Sequence, residues 1–443
     1  MQPSARLAAT IEILDSIEAA IASRGLPADR LVADYFRARR FAGSKDKRAI
    51  SDHVYAVLRS REWLLWGLAH IGADISARAL FIAHLVRHDS AQLALFAADD
   101  QFAPDALSDE EQHIITQLAA LDWTQAPGDA RSDVPSWASA GLRKRFGPAF
   151  EQAAMALQGT APLDVRVNGL KADGFNIKLN ISISSEDIEK NKYSEFGYRI
   201  KARLNLPSEK AYRDGMLEVQ DEAAQVAAAL VATAPGQQVV DLCAGGGGKS
   251  LAVAAVMENR GQIHAFDISG KRLADFRTRL QRAGYRNIQV TRIGREAAAR
   301  SSAFAGLSGK ADRVIVDTPC SGTGTWRRSP DLRWRFDGES LAELHKTQAG
   351  LLREAATLAK PGGRVVYMTC SLLPSENEDI IQGFMAEAGE GWQLLDYRDI
   401  WADVLKSVVP DTLSLEPKCL QLAPHSHDTD GFFVAVLERR LIS

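Results

Sequence analysis

The stretch "VVDLCAGGGGKSLAVAA", Val239 to Ala255, decides the fold. Its ending, GGGGKS, spells the last places of a phosphate-binding loop. That loop requires G-x-x-x-x-G-K-[ST] after a strand. Gly248, Lys249 and Ser250 fill the final three places, but Cys243 stands where the first glycine must make a sharp turn. The dinucleotide pattern G-x-G-x-x-G fails as well. Counted from Gly245 its third glycine is Ser250, and counted from Gly246 it is Leu251. What remains is an apolar strand, Asp241, a glycine-rich turn and a helix. Such a turn lets backbone N–H groups and a helix N-terminus come close to a polar ligand.

The surroundings repeat that unit. From about Tyr212 onward, "GQQVVDLC", "QIHAFDIS", "NIQVTRI", "RVIVDTPC" and "GRVVYMTC" read as strands separated by helical stretches. This rhythm predicts an α/β fold with a parallel, doubly wound sheet and ligands at the strand C-terminal ends. The final "DGFFVAVLER" reads as one more strand, antiparallel and at the edge.

Upstream, the first ~120 residues read as helices. Leu7, Ile11, Leu14, Ile17 and Ile21 recur at helical spacing, as do Ile50, Val54, Val57, Leu58, Leu65 and Leu68. These stripes predict the core of a helical bundle. Between helices lies "RARRFAGSKDKR", Arg37 to Arg48, with six Lys/Arg and one Asp. Such a run is either a solvated face or an RNA-contacting patch that includes Arg39, Arg40 and Lys45. "DWTQAPGDARSDVPSWASAG" shifts to Pro, Gly, Ser and Asp and reads as a linker. A mixed segment follows, in which "PLDVRVNGLK" and "NIKLNISIS" alternate like strands. The domains are therefore expected at 1–125 (helical), 126–211 (linker and small α+β segment) and 212–443 (doubly wound).

Composition bounds the function. The chain has 443 residues, 46% hydrophobic and 25% charged, and a formal net charge of −3. It is not basic overall, so any nucleic acid must be held by local patches. Cys243, Cys320, Cys370 and Cys419 have no spacing that suggests a disulfide framework or zinc, so reduced cytoplasmic thiols are expected. The first 25 residues carry Glu12, Asp15 and Glu18 within their apolar stretch, and read as neither a signal peptide nor a membrane span.

The chemistry lies in the second half. Asp267 ends the second strand, 18 residues after Lys249. A carboxylate there accepts the ribose hydroxyls of an adenosine, although Asp at a strand end is also a common helix cap. "RVIVDTPCSGTG" runs an apolar strand into Asp317 and Cys320. "GRVVYMTCSLLPSENE" ends the next strand at Cys370, with Ser375 and Glu378 spelling a capping box. If the two strands are neighbours, their ends lie roughly 5 Å apart. Buried cysteine is commonly inert, but two strand-end thiols beside an acid suit methylation at carbon 5 of a cytosine. That carbon is a poor nucleophile. A thiolate adding to C6 makes it an enamine carbon able to attack a methyl donor, and a base then removes the C5 proton so that the thiol leaves.

At these residues the chain resembles the Sun/Fmu (RsmB-type) RNA (cytosine-5) methyltransferases. "DLCAGGGGKS" is similar to their S-adenosyl-L-methionine loop, and "DTPCSGTG" and "TCS" to their two cysteine motifs. "VRVNGLK", "VQDEAAQ", "GTWRRSPDLRW" and "DGFFVA" match further blocks, so the resemblance runs from about Pro135 to the end. "SKDKRAISDHVYAVLR" looks like the NusB-like helical domain of the bacterial 16S rRNA branch. The resemblance implies a Rossmann-like class I methyltransferase domain. It makes Cys370 the nucleophile, Cys320 the aid to proton removal and product release, and Asp317 the contact to the target cytosine and part of the cofactor site. It places the methionine part of the cofactor on Cys243, Ala244, Gly245, Gly246, Gly247, Gly248 and Lys249, and the ribose on Asp267. Arg272 and Gly294 complete the expected cofactor set.

Two departures stand out. The family usually has Pro where Gly246 stands, and Gly-Asp where this chain has Gly294-Arg295, so the adenine is expected to be held by backbone groups or another acid such as Glu296, or to be bound weakly. For RNA, Arg143, Lys144, Arg145, Arg327, Arg328, Arg333 and Arg335 are candidate phosphate contacts. Trp326 and Trp334 either stack on bases or pack their own loop. His425 and His427 read as part of a surface hairpin rather than a metal site, and no metal is expected. Lys249 is a candidate to tune the charge of Asp317. The expected partner is 16S rRNA or a small-subunit assembly intermediate, and the expected protein is a monomer with no membrane contact. The alternatives are a tRNA cytosine-5 methyltransferase, a non-catalytic RNA-binding assembly factor and a P-loop nucleotidase.

Overall fold

Apolar stripes at helical spacing build the first unit of the computed structural model, which describes residues 1–97, 100–172, 180–202 and 204–441. This unit comprises Met1–Arg143, Gly147–Thr160 and Thr325–Gly338. Helices Pro3–Ala22, Ala28–Ala38, Ser44–Arg59, Arg61–His70, Ala77–His88 and Asp109–Ala120 supply most of it. Leu7, Leu14, Ile17, Ile50, Val54, Val57, Leu58 and Leu68 are buried in its core, as their spacing predicts, and Ile11, Ile21 and Leu65 pack against them half-buried.

The stretch read as a linker is folded instead. It contains helices Gly128–Ser132 and Ser136–Phe146, each preceded by a proline, Pro127 and Pro135, at its N-cap. Asp133, between them in a left-handed conformation, is buried and accepts the backbone N–H of Glu62 at 2.7 Å. Proline and small polar residues punctuate helix starts as well as linkers, and composition alone does not separate the two.

The second unit comprises Lys144–Phe146, Ala161–Gly324 and Glu339–Ser443. It contains a small antiparallel sheet of β1 (Leu163–Val167), β2 (Ile188–Lys190), β3 (Gly197–Ile200) and β4 (Leu217–Val219), in the order β2-β3-β1-β4. In the expected strand "NIKLNISIS", residues 176–179 lie outside the described residues. Residues 180–183 form a turn and bends, and the pairing strand is β2, further on.

The large sheet is built from β5 (Gln238–Asp241), β6 (Gln262–Asp267), β7 (Ile288–Arg292), β8 (Ala311–Asp317), β9 (Ala359–Thr369), β10 (Trp392–Leu395), β11 (Leu420–Leu422) and β12 (Phe432–Arg439). Its order is β10-β12-β9-β8-β5-β6-β7, with β11 also paired to β12. β5 to β9 are parallel. Their alternate residues bury on opposite faces: Val239, Ile263, Ile315 and Val366 in one cluster, Val240, Phe266, Val314 and Val365 in another. Burial on both faces is what makes these strands read as continuous apolar runs. β12 is antiparallel, as expected, but it is not the edge. β10, a four-residue strand, pairs outside it.

The strand order reverses at β5, which lies between β6 and β8. Open α/β sheets bind ligands outside the strand C-termini at such a switch point. Asp241, Asp267, Asp317 and Thr369 end β5, β6, β8 and β9 there. No helix among the described residues is long and apolar enough to cross a membrane.

Candidate active site

The glycine-rich turn follows β5. Leu242 donates its N–H to Ile315 O at 3.1 Å and Ala244 to Phe266 O at 2.9 Å, so the chain leaves the sheet pinned to both neighbouring strands. Gly245 (φ +55°) and Gly247 (φ +81°) are left-handed, and Gly247 caps helix Gly248–Val256. A Cβ on Gly247 would lie 2.1 Å from the Phe276 ring, so side chains are excluded there twice over.

A nucleotide-binding loop would need the next two side chains free. They are committed elsewhere. The Lys249 ammonium donates to Asp317 Oδ2 at 2.5 Å and sits 4.7 Å from the centre of the Phe432 ring. The Ser250 hydroxyl donates to Asp241 Oδ2 at 2.6 Å. Asp241 is buried beneath the turn, and burial pushes its carboxyl up to about 7. Burial, and after it Asp241, Asp317 and Asp267, pushes the Cys243 thiol up, so it stays neutral.

At the end of β6, Asp267 is buried and accepts the Gly245 N–H at 2.8 Å on one oxygen and the Ser269 N–H at 2.7 Å on the other. Each oxygen keeps a lone pair for a further donor. Ser269, not Asp267, caps the following helix. The exposed Arg272 guanidinium lies 3.8 Å from Asp267. Beyond β7, Gly294 has the Glu296 carboxylate beside it, 2.7 Å from where a Cβ would stand. An acid therefore occupies the neighbourhood left without one by Arg295.

β8 and β9 are neighbours, with Asp317 opposite Met368. Their extensions bring Cys320 Sγ and Cys370 Sγ to 3.4 Å. The contact with Cys370, then burial, pushes the Cys320 thiol up, so Cys320 keeps its proton and can donate it to Cys370. The turns carrying the thiols are joined by a backbone bond from Gly324 N to Cys370 O (2.9 Å), and Gly431, just before β12, donates its N–H to Gly324 O (2.8 Å).

Glu376, which the sequence reading passed over, holds the two turns together. It is fully buried. It accepts the Ser321 N–H at 2.8 Å, the Ser321 and Ser371 hydroxyls at 2.5 Å each, and the Gln348 amide at 3.0 Å. Ser321 and Ser371 directly follow the two cysteines. The available signal was this repeat, Cys-Ser in both motifs, with an acid shortly after the second. The capping box does not form: Asn377 occupies the N-cap position without a side-chain capping bond, its amide being bonded to Ser371 O and Gln421 instead. Glu378 is instead buried against Arg145, which donates to its two oxygens at 2.5 and 2.6 Å. Burial opposes that charge, but Arg145 holds Glu378 below its ordinary value.

The expected RNA contacts divide. Arg40, Lys45, Arg143 and Lys144 are exposed, while Arg39, Arg328, Arg335 and Trp334 are half-buried. Arg39 pairs with Glu12 at 2.8 Å, Lys144 lies 3.7 Å from Asp379, and Arg143 pairs with Asp129 and lies over Phe150 at 4.0 Å. Arg145, Arg327, Arg333 and Trp326 are buried, which removes them from the set. Arg333 donates to Leu157 O at 2.8 Å, its value pulled down to about 10 by burial, and lies over Trp326, which packs on Trp137. Long cationic side chains look alike in sequence whether they face water or cap buried carbonyls. Nor do His425 and His427 form a surface hairpin. They belong to a short helix, Pro424–His427, with the His427 ring bonded to Asp411 O at 2.8 Å.

Residues 228–438 match the family 16S rRNA methyltransferase RsmB/F. The probable ribosomal RNA small subunit methyltransferase B of Synechocystis sp. is 32% identical over 69% of this chain and 66% of its own length. The ribosomal RNA small subunit methyltransferase B of Salmonella newport is 30% identical over 71% of this chain and 68% of its own length. The chain thus spans about two thirds of the length of these relatives. Among solved structures, that of PH0851 matches with TM-score 0.78 and 23% identity over 99% of each chain. NSun6 from Pyrococcus horikoshii matches with TM-score 0.58 and 18% identity over 70% of this chain and 99% of its own. Both share the fold, and the sequence relatives carry the kinship further: the chain belongs to the RsmB/F family of 16S rRNA methyltransferases.

Proposed function

We propose that the protein transfers a methyl group from S-adenosylmethionine to carbon 5 of a cytosine in 16S rRNA, through a covalent bond between Cys370 and C6. The observation that carries this reading is the pair of thiols 3.4 Å apart beside the Lys249–Asp317 ion pair, at the ends of adjacent strands. The residues present fit the cofactor. Asp267 has lone pairs for a ribose diol, the left-handed glycines open their turn to close approach, and Glu296 at Gly294 supplies the acid for an adenine amine. When bound, S-adenosylmethionine supplies an electrophilic methyl carbon.

The chain's own groups do the rest. The target base must leave its stack, which costs a few kcal/mol and less in a loop. Asp317 contacts the base, and the Lys249 ammonium, bonded to Asp317 Oδ2 at 2.5 Å, fixes the position of its carboxylate. The Cys370 thiolate adds to C6, stabilised by the proton on Cys320, and C5 becomes the nucleophile that takes the methyl group. Cys320 then gives up its proton to solvent, and as a thiolate it takes the C5 proton. The electrons of that C–H bond restore the C5–C6 double bond, and Cys370 leaves with the pair of the C–S bond. Exposed Arg40, Lys45, Arg143 and Lys144 hold phosphates, the helical unit serves as an RNA-binding domain, and the enzyme works as a cytoplasmic monomer.

The test is methylation of 16S rRNA by the thiol variants, read by mass spectrometry. Cys370→Ala abolishes 5-methylcytosine, and Cys320→Ala accumulates a denaturant-stable enzyme–RNA adduct. Methylation that survives in Cys370→Ala overturns the mechanism. If cells lacking the protein lose 5-methylcytosine from tRNA and keep it in rRNA, the substrate is wrong.

A further inference from the structure

Four successive glycines, Gly245 to Gly248, give the cofactor loop no side chains with which to hold its own shape. Such a loop loses much conformational freedom on ordering, and a ligand that needs the ordered form binds more weakly unless the order is supplied beforehand. The Gly245 N–H is held by Asp267 and the Gly247 N–H by Ala244 O. The carbonyl of Gly246, the middle of the turn, accepts from Arg279 Nη1 at 2.6 Å.

Arg279 is itself held. Its Nε donates to Glu218 Oε2 at 3.0 Å. Glu218 stands on β4 of the small sheet, with only 3% of its side chain exposed, and its other oxygen accepts from Arg282 at 2.5 Å. Arg282 lies over the Tyr212 ring at 3.9 Å. A chain of charge-assisted bonds therefore runs from β4 through Arg279 to one carbonyl of the loop.

We propose that Arg279 is a positioning residue that pre-orders the cofactor loop by clamping Gly246 to Glu218, so that the small sheet helps set the affinity for S-adenosylmethionine. The inference rests on the reading of the glycine turn as the S-adenosylmethionine site. Gly246 is not among the left-handed glycines, and a Cβ there would meet only Arg279 Nη1, at 3.3 Å. Alanine at 246 is thus compatible with the native backbone once Arg279 is shortened, and it stiffens the loop by another route.

The experiment is calorimetric titration of the full chain with S-adenosylmethionine in the absence of RNA, together with thermal unfolding and amide hydrogen exchange. Arg279→Ala raises Kd about tenfold, the scale of one lost charge-assisted bond, and speeds exchange at the loop amides. Arg279→Ala combined with Gly246→Ala recovers much of that affinity. Equal Kd for wild type and Arg279→Ala overturns the clamp, as does a fall in Tm with Kd unchanged. Affinity lost and not recovered in the double variant overturns it too, because Arg279 would then act by touching the ligand. If the wild-type chain binds no S-adenosylmethionine, the underlying reading of the turn fails instead.

Discussion

The two halves of the site are built by opposite means. At the glycine turn, where we propose that the cofactor binds, the exposed groups are backbone N–H and C=O, freed by glycines and held from outside by Asp267 and Arg279. At the thiol turns the working groups are side chains, and a carboxylate sealed beneath them, Glu376, holds both turns at once. A loop proposed to admit and release a cofactor tolerates a part-buried bond such as that from Arg279 to Gly246 O. On the proposed mechanism the two sulfurs meet one carbon and one proton in sequence, which needs a geometry that water does not loosen.

That contrast can be broken by experiment. The largest effect is expected at Glu376. Glu376→Ala leaves the Ser321 N–H, two hydroxyls and the Gln348 amide without their acceptor, at a cost of about 3 kcal/mol or more of stability. The thiols lose their shared support, and kcat falls on the order of 100-fold. Affinity for S-adenosylmethionine, measured by titration, stays near wild type. A Kd that worsens in step with kcat would show that the halves are not separate.

The reciprocal variant is Gly247→Ala. Its Cβ meets Phe276 at 2.1 Å in a left-handed conformation, and the combined strain is about 2 kcal/mol, read by denaturant unfolding. Binding of S-adenosylmethionine weakens, while the rates at which Cys320 and Cys370 react with a thiol reagent stay as in wild type. Altered thiol reactivity would tie the turns together more tightly than the separate supports imply.

The last effect, visible only as a dependence on pH, concerns Asp241, which lies under the glycine turn and is also raised by the charge of Asp317. Burial lifts its carboxyl from 3.8 to about 7, so the fold prefers the protonated form. Its contribution to stability is full below about pH 3.8 and is lost as pH rises toward 7. Asp241→Asn lacks this loss, so the stability of the variant relative to wild type improves across that window in urea titrations. Parallel pH curves for the two proteins would mean that Asp241 is ionised throughout.

The sheet was legible because each central strand carries its own signal, an apolar run ending in Asp, Cys or Gly. The thiols were legible because both sit at such ends. β10 was not, because four residues of "WQLL" carry too short a pattern. The linker reading failed at Pro127 and Pro135, where proline starts helices. The capping-box reading failed at Glu378, because a local pattern lost to an ion pair with Arg145, 233 residues away.

By itself the sequence determined the rhythm of strands and helices, the misfit of Cys243 to a phosphate loop, and the pairing of two cysteine motifs with an acid. Only the tertiary structure decided that Lys249 meets Asp317 across 68 residues, that Ser321 meets Glu376 across 55, and that Arg327 and Arg333 are buried. The physical reason is range. Periodicity and turn chemistry are properties of neighbours along the chain. Which charge finds a partner, and which is shut away from water, is settled only when distant segments pack.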